Sequence, residues 1–156
     1  MKQPLGHSED SRAVQAVPPD LAVLLARGVC RALTDHGLAT LTEFTLGSGR
    51  RVDVIGLDRG GQVTIVEVKS SLEDFRSDRK WPEYLDFCDR FFFAVPEDFP
   101  REVLPVDCGL MAADPYGAVI LRDSPDFRLN AARRRAQCLR FGLAAAERLG
   151  RLTDPR

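Results

Sequence analysis

The sequence predicts an α/β sandwich built round a mixed central sheet, with elements in the order αβββαβ and then ββα. Three observations carry this. Three runs rich in Val, Ile, Thr and Phe follow one another between glycine-containing breaks. A further apolar run, FFFAV, shows no alternation. Stretches with helical spacing precede, interrupt and close the series.

Taken in order, residues 1–17 are polar and aperiodic and read as a mobile tail, leaving a single domain over 18–156. Pro18-Pro19-Asp20 ends the tail and offers an N-cap. Leu21, Leu24, Leu25, Cys30 and Leu33 then predict a helix over 20–36, with Gly37 to end it and Gly28 as its weak point. Thr40–Leu46, Arg51–Leu57 and Val63–Lys69 read as an antiparallel three-stranded meander. A second helix is expected over 79–89, with Asp78 as N-cap and Pro82 tolerated in the first turn. Phe91–Val95 reads as a strand buried on both faces, and short strands follow near 109–113 and 117–121. A closing helix over 130–149 carries Ala132, Ala136, Leu139, Leu143 and Ala146 as its apolar stripe.

The composition narrows the function classes. With 156 residues, 44% hydrophobic, 29% charged and a net charge of −1, the chain is an ordinary globular domain and not a polyanion-coating protein. No apolar run is long enough to span a bilayer, and MKQPLGHSEDSRAVQAV lacks the apolar core of a signal peptide. Cys30, Cys88, Cys108 and Cys138 form no C-x-x-C pair and read as reduced. The expectation is a small cytoplasmic protein. Charge is uneven along it: Arg128 to Arg156 holds eight arginines against Glu147 and Asp154, a local +6 beside an acidic body. That segment suits either a phosphate-binding face or an intramolecular counter-charge.

Strand register yields the chemistry. Residues two apart share a face, so Asp53 goes with Ile55 and Leu57, and Glu67 and Lys69 with Val63 and Ile65. Pairing Val54 with Val66 and Val52 with Val68 sets Asp53 across from Glu67. If Gly47-Ser48-Gly49 is a three-residue loop, Glu43 falls opposite Asp53 and the three acids form a row. Adjacent like charges on a largely apolar face are destabilising unless neutralised, and Mg²⁺ or Mn²⁺ with oxygen ligands would do so. Lys69 points at the same place, where an ammonium can orient a water or stabilise charge on a phosphate. Against this stands the plain reading that Glu-Val-Lys is a common strand sequence.

The αβββαβ order with Asp53 on one strand and Glu67-Val68-Lys69 on the next resembles the PD-(D/E)XK, or restriction-endonuclease-like, nuclease superfamily, with Val52 in the place of its proline. Over about 20–150, GRRVDVIGL, IVEVKSSLEDFRSDRKWPEYLDFCDRFFFAVP, GLMAADPYGAVI and ARRRAQCLRFGLAAAERL resemble the MmcB family of bacterial DNA-repair endonucleases. The resemblance implies a restriction-endonuclease-like core, a DNA substrate and a role in DNA repair. It also implies catalysis by Asp53, Glu67 and Lys69, with Mg²⁺ or Mn²⁺ held by Asp53, Glu67 and the Val68 carbonyl, to which the register adds Glu43 as candidate third acid.

Other residues carry two readings. Lys80 could contact a phosphate and Tyr84 could stack on an unpaired base, whereas Trp81 reads as core. Arg133 and Arg134, with Arg135 and Arg140, could track a nucleic-acid backbone or form a solvated helix face. Arg51 could hold a phosphate or merely charge a sheet edge. The leading expectation is a metal-dependent endonuclease that hydrolyses DNA, with a homodimer or other repair proteins as partners. The alternative is a non-cleaving nucleic-acid-binding or partner-docking module on the same fold, and a third option is a subunit whose site another chain completes.

Overall fold

The computed structural model describes residues 20–156, so the tail expected over 1–17 lies outside the described residues. Helix α1 (Leu21–Asp35) starts where Asp20 accepts from the Ala22 amide at 3.2 Å, and Gly37 follows its end at φ +85°. Strands β1 (Ala39–Thr45), β2 (Arg51–Leu57) and β3 (Val63–Val68) form the antiparallel meander. Helix α2 (Leu72–Ser77) and a 3-10 turn (Trp81–Phe87) cross over to β4 (Arg90–Val95), which is parallel to β3. A short 3-10 turn (Arg101–Val103) leads to β5 (Gly109–Ala113), also parallel, and β6 (Ala118–Arg122) closes the sheet antiparallel to it. The six strands lie in sequence order, and α3 (Ala131–Thr153) returns across the far face.

Two apolar layers sandwich this sheet. On one face Leu25, Val29 and Leu33 of α1 pack on Val54, Val66, Phe92 and Met111. On the other, Ile55, Val63, Ile65, Phe91 and Phe93 meet Tyr84, Trp81 and Phe141. The FFFAV run serves both layers by alternation, as expected of a strand buried on both faces. Each fully buried Phe contributes about 1.5–3 kcal/mol. Trp81 stacks on Phe91 at 5.8 Å and meets Phe93 edge-on at 5.2 Å, so it is core, as its spacing indicated.

Three expectations are corrected. The helix placed at 79–89 is instead a 3-10 turn over Trp81–Phe87 with Pro82 at its start, and the unexpected α2 lies before it, the two parted by an extended Asp78 (φ −88°, ψ 120°). Gly28 is no weak point but a site of close approach. A Cβ there would lie 1.8 Å from the Asp114 carbonyl oxygen and 2.7 Å from that of Gly117. The apolar stripe of α3 faces outward, with Leu139 65% and Leu143 56% exposed, while Gln137 and Phe141 are buried.

Polar clasps explain that rotation. Asp89, 4% exposed at its side chain, accepts from the amides of Val63 (2.9 Å) and Leu129 (3.2 Å) and from both Nη atoms of Arg134 (2.6 and 2.7 Å). Arg134 also donates to the carbonyls of Gly61 (2.7 Å) and Leu129 (3.1 Å). Burial alone would raise the Asp89 pKa. The guanidinium and the two amides outweigh it and hold the carboxyl below its ordinary range. Such charge-assisted bonds set the helix's orientation more strongly than exposed leucines can.

Candidate active site

The β2–β3 ladder runs in the expected register, with Val54 opposite Val66 and Leu57 opposite Val63. Beyond Val54 the pairing changes hands. The Asp53 amide donates to Glu67 Oε1 at 3.0 Å, and the Val68 amide donates to Asp53 Oδ2 at 2.8 Å. Each carboxylate thus takes a backbone donor of the other strand where a Val52–Val68 ladder pair was expected. Val52 turns instead into the layer that holds Phe44 and Phe141.

Glu67 is buried and Asp53 half-buried. Burial, then the Asp53 charge beside it, pushes the Glu67 pKa up to about 8. Burial also raises Asp53, against the pull of the Val68 amide and the Lys69 charge. Lys69, just past the end of β3 and 4% exposed, reaches Asp78 Oδ2 at 2.7 Å, with Glu67 Oε2 and Asp74 Oδ1 each at 3.9 Å. Burial alone would lower the Lys69 pKa, but its bond to Asp78 and the surrounding carboxylates hold it above the ordinary lysine value. One buried and one half-buried acid pressed toward protonation beside an immobilised ammonium are costly to assemble, and such arrangements cluster where proteins do chemistry.

Glu43 keeps its register position, between Thr42–Val54 and Phe44–Val52, but it does not complete the row. It sits in the left-handed region at φ +48°, exposed, while Arg148 donates to the carbonyls of Thr42 (2.7 Å) and Glu43 (3.0 Å). Among the described residues, no group of three or more His, Cys, Asp or Glu side chains is placed to hold one metal ion. Asp53 and Glu67 stand as the linked pair of acids, with Glu43 apart from their exchange. Glu43 and Asp53 do share the lining of a cavity of about 340 Å³ with Asp20, Ala22, Val23, Ala26 and Thr42, which gives Asp53 an opening on the α1 side.

The candidates for nucleic-acid contact divide. Lys80 and Arg51 are exposed. Tyr84 is not available to stack on a base, because its ring is buried 6.5 Å from that of Phe91. Burial and the charges of Glu67, Asp78 and Asp53 push its pKa up to about 12. Arg134 is spent on Asp89, and Arg133 lies 5.0 Å over the Phe87 ring while donating to the Asp86 carbonyl at 3.1 Å. Tyr84 and Arg134 thus serve the fold, whereas Arg133 stays exposed at the surface. Asp78, expected as a cap, is the partner of Lys69; its signal in the sequence is an acid nine residues after the lysine, beyond a helix short enough to fold back.

A family model described as DNA repair protein MmcB-like matches residues 9–156. A protein of unknown function from Silicibacter pomeroyi is 45% identical, with 89% of this chain and 95% of that chain covered at a TM-score of 0.86. A repair endonuclease from Pyrococcus abyssi is 21% identical over 41% of this chain and 31% of its own, and at a TM-score of 0.30 that likeness bears no weight. No curated protein is matched. Among the described residues, no helix is long and apolar enough to cross a membrane, and all four cysteines are free thiols.

Proposed function

Because this chain belongs to the MmcB-like family of DNA repair proteins, we propose that it is a metal-dependent DNA endonuclease working through Asp53, Glu67 and Lys69. The observation that supports this most directly is the exchange between Asp53 and Glu67 across β2 and β3, with Lys69 fixed 3.9 Å from Glu67 Oε2. Each acid gives one oxygen to a backbone amide and keeps the other uncommitted by those bonds. These oxygens, joined by the Val68 carbonyl, would make an all-oxygen donor set that suits a hard cation such as Mg²⁺ or Mn²⁺. Bound there, the cation supplies neutralisation of the two acids and Lewis-acid polarisation of a phosphodiester.

The chain's own residues supply the rest. Asp53 and Glu67 are oriented by the Val68 and Asp53 amides, so they need no reorganisation on binding a cation. Lys69 brings a positive charge that is already desolvated, suited to stabilising the charge that builds on a phosphate oxygen in the transition state. The exposed Lys80 and Arg51 are suited to hold neighbouring phosphates, which position the substrate without reading its sequence.

The test is cleavage of plasmid, single-stranded, flap and four-way-junction DNA with Mg²⁺, Mn²⁺ or EDTA, beside Asp53→Asn. Metal-dependent cutting that the substitution abolishes is the expected result. Cutting by Asp53→Asn at the wild-type rate, or none by the wild type on any substrate, refutes the reading and returns the non-cleaving module to first place.

A further inference from the structure

On the nuclease reading above, we infer that Asp78 is a positioning residue: its carboxylate holds the Lys69 ammonium away from Glu67 and fixes it beside the acid pair. Lys69 ends a four-carbon flexible stem and is 4% exposed. A buried ammonium next to a carboxylate with no competing anion closes to a direct charge-assisted bond of about 2.8 Å. Here the nearest Glu67 oxygen stays at 3.9 Å, while Asp78 Oδ2 is at 2.7 Å. Asp78 wins the ammonium, and Glu67 Oε2 is left open.

The chain around Asp78 is built to hold it there. Helix α2 is only six residues long, so the chain folds back over the end of β3 and returns Asp78 to Lys69. Asp78 is then pinned by three bonds: its amide donates to the Phe75 carbonyl at 3.2 Å, its Oδ1 accepts from the Lys80 amide at 2.7 Å, and its Oδ2 accepts from Lys69. Asp74 stands at 3.9 Å from the ammonium, on the same short helix, and is the weaker partner. The Oδ1 bond is a local turn contact two residues long, whereas the Oδ2 bond spans nine residues and touches the acid pair. The two oxygens therefore have separable duties.

Asp78→Asn separates them. Its amide oxygen keeps the turn bond to Lys80, and its NH₂ group, a donor, cannot hold a second donor. Lys69 then swings onto Glu67. Displacement of a reacting group by about 1 Å can cost about 10²-fold in rate, so kcat should fall by about that much, with KM within about twofold. The second readout does not depend on activity: a ¹H–¹⁵N spectrum of the Lys69 ammonium with its scalar coupling to the Asp78 carboxyl carbon. The coupling is expected in the wild type and lost in Asp78→Asn, with a shift of the ammonium signal.

Wild-type cutting with an unchanged kcat in Asp78→Asn overturns the inference, as does an absent coupling in the wild type. If the wild type cuts nothing, the nuclease reading fails on its own. A coupling still present then supports the hold of Asp78 on Lys69, in a site with other chemistry.

Discussion

Replacing Arg134 by Met keeps an apolar stem along α3 but removes the fork that grips Asp89. Both ends of the pair are mostly inside, with side-chain exposures of 30% for Arg134 and 4% for Asp89. Removing one partner of a buried pair costs about 3–5 kcal/mol, because the other charge is left uncompensated. The amides of Val63 and Leu129 still serve Asp89, which places the loss near the lower end, about 3 kcal/mol. For a domain of this size that is about 6–12 °C in Tm. The pH dependence follows from the depressed Asp89 pKa. A carboxyl held below its unfolded value adds stability that is complete above about pH 4 and is lost as pH falls through the folded value. Wild type and Arg134→Met should thus differ fully at neutral pH and converge in acid. Thermal unfolding followed by circular dichroism from pH 7 down to pH 3 reads both effects. An unchanged Tm at pH 7, together with weakened DNA binding, would refute the argument and restore Arg134 to the phosphate-binding face.

Further expectations concern other parts of the molecule. Gly28→Ala places a methyl group 1.8 Å from the Asp114 carbonyl oxygen, so the β5–β6 turn has to move and urea unfolding should show a loss of about 1–3 kcal/mol. Glu67 has a raised pKa of about 8, so in EDTA its deprotonation costs the fold stability progressively as pH rises from about 4.5 towards 8. Glu67→Gln should flatten that slope, and an unchanged slope in a urea-unfolding series over those pH values would count against the buried acid pair. Lys80→Ala and Arg51→Ala should each reduce the salt dependence of DNA binding by about one phosphate contact, measured by fluorescence anisotropy at several salt concentrations. Tyr84→Phe, by contrast, should leave that affinity unchanged, because the ring is buried.

Much of the fold was legible because its signals are local. Glycine breaks and alternation locate β1, β2 and β3, and β2 has the expected limits, Arg51–Leu57. The facing of Asp53 and Glu67 followed from the valine pattern alone, since a slip of one residue would have buried the wrong face. What was not legible depends on long-range polar contacts. The inward face of α3 is chosen by Arg134 on Asp89 and Arg148 on β1, partners 45 and more than 100 residues away, so a stripe of leucines misled. The left-handed Glu43 has the same origin, with two β1 carbonyls turned outward to Arg148. One acid before a proline-bearing stretch has the pattern of a cap, so the lysine partner of Asp78 is visible only once α2 folds back. The two readings of the basic residues stay open in the sequence, because charge does not distinguish a free arginine from one engaged as Arg134 is on Asp89.

The sequential order of the sheet bears on how the chain acquires its structure. Every strand pairs with its predecessor, so no addition closes a loop longer than the 69–89 crossover and the entropic cost of assembly is met in steps. The sheet can therefore grow strand by strand as the chain is synthesised, with the acid pair in place once β3 has docked on β2. Helix α3 reaches back more than 100 residues, from Arg148 to Thr42, and it can do so only after all six strands have been made. The helix is then a late-arriving buckle. Its amides should exchange with solvent at a lower opening free energy than those of β3 and β4, and hydrogen exchange would rank the two directly.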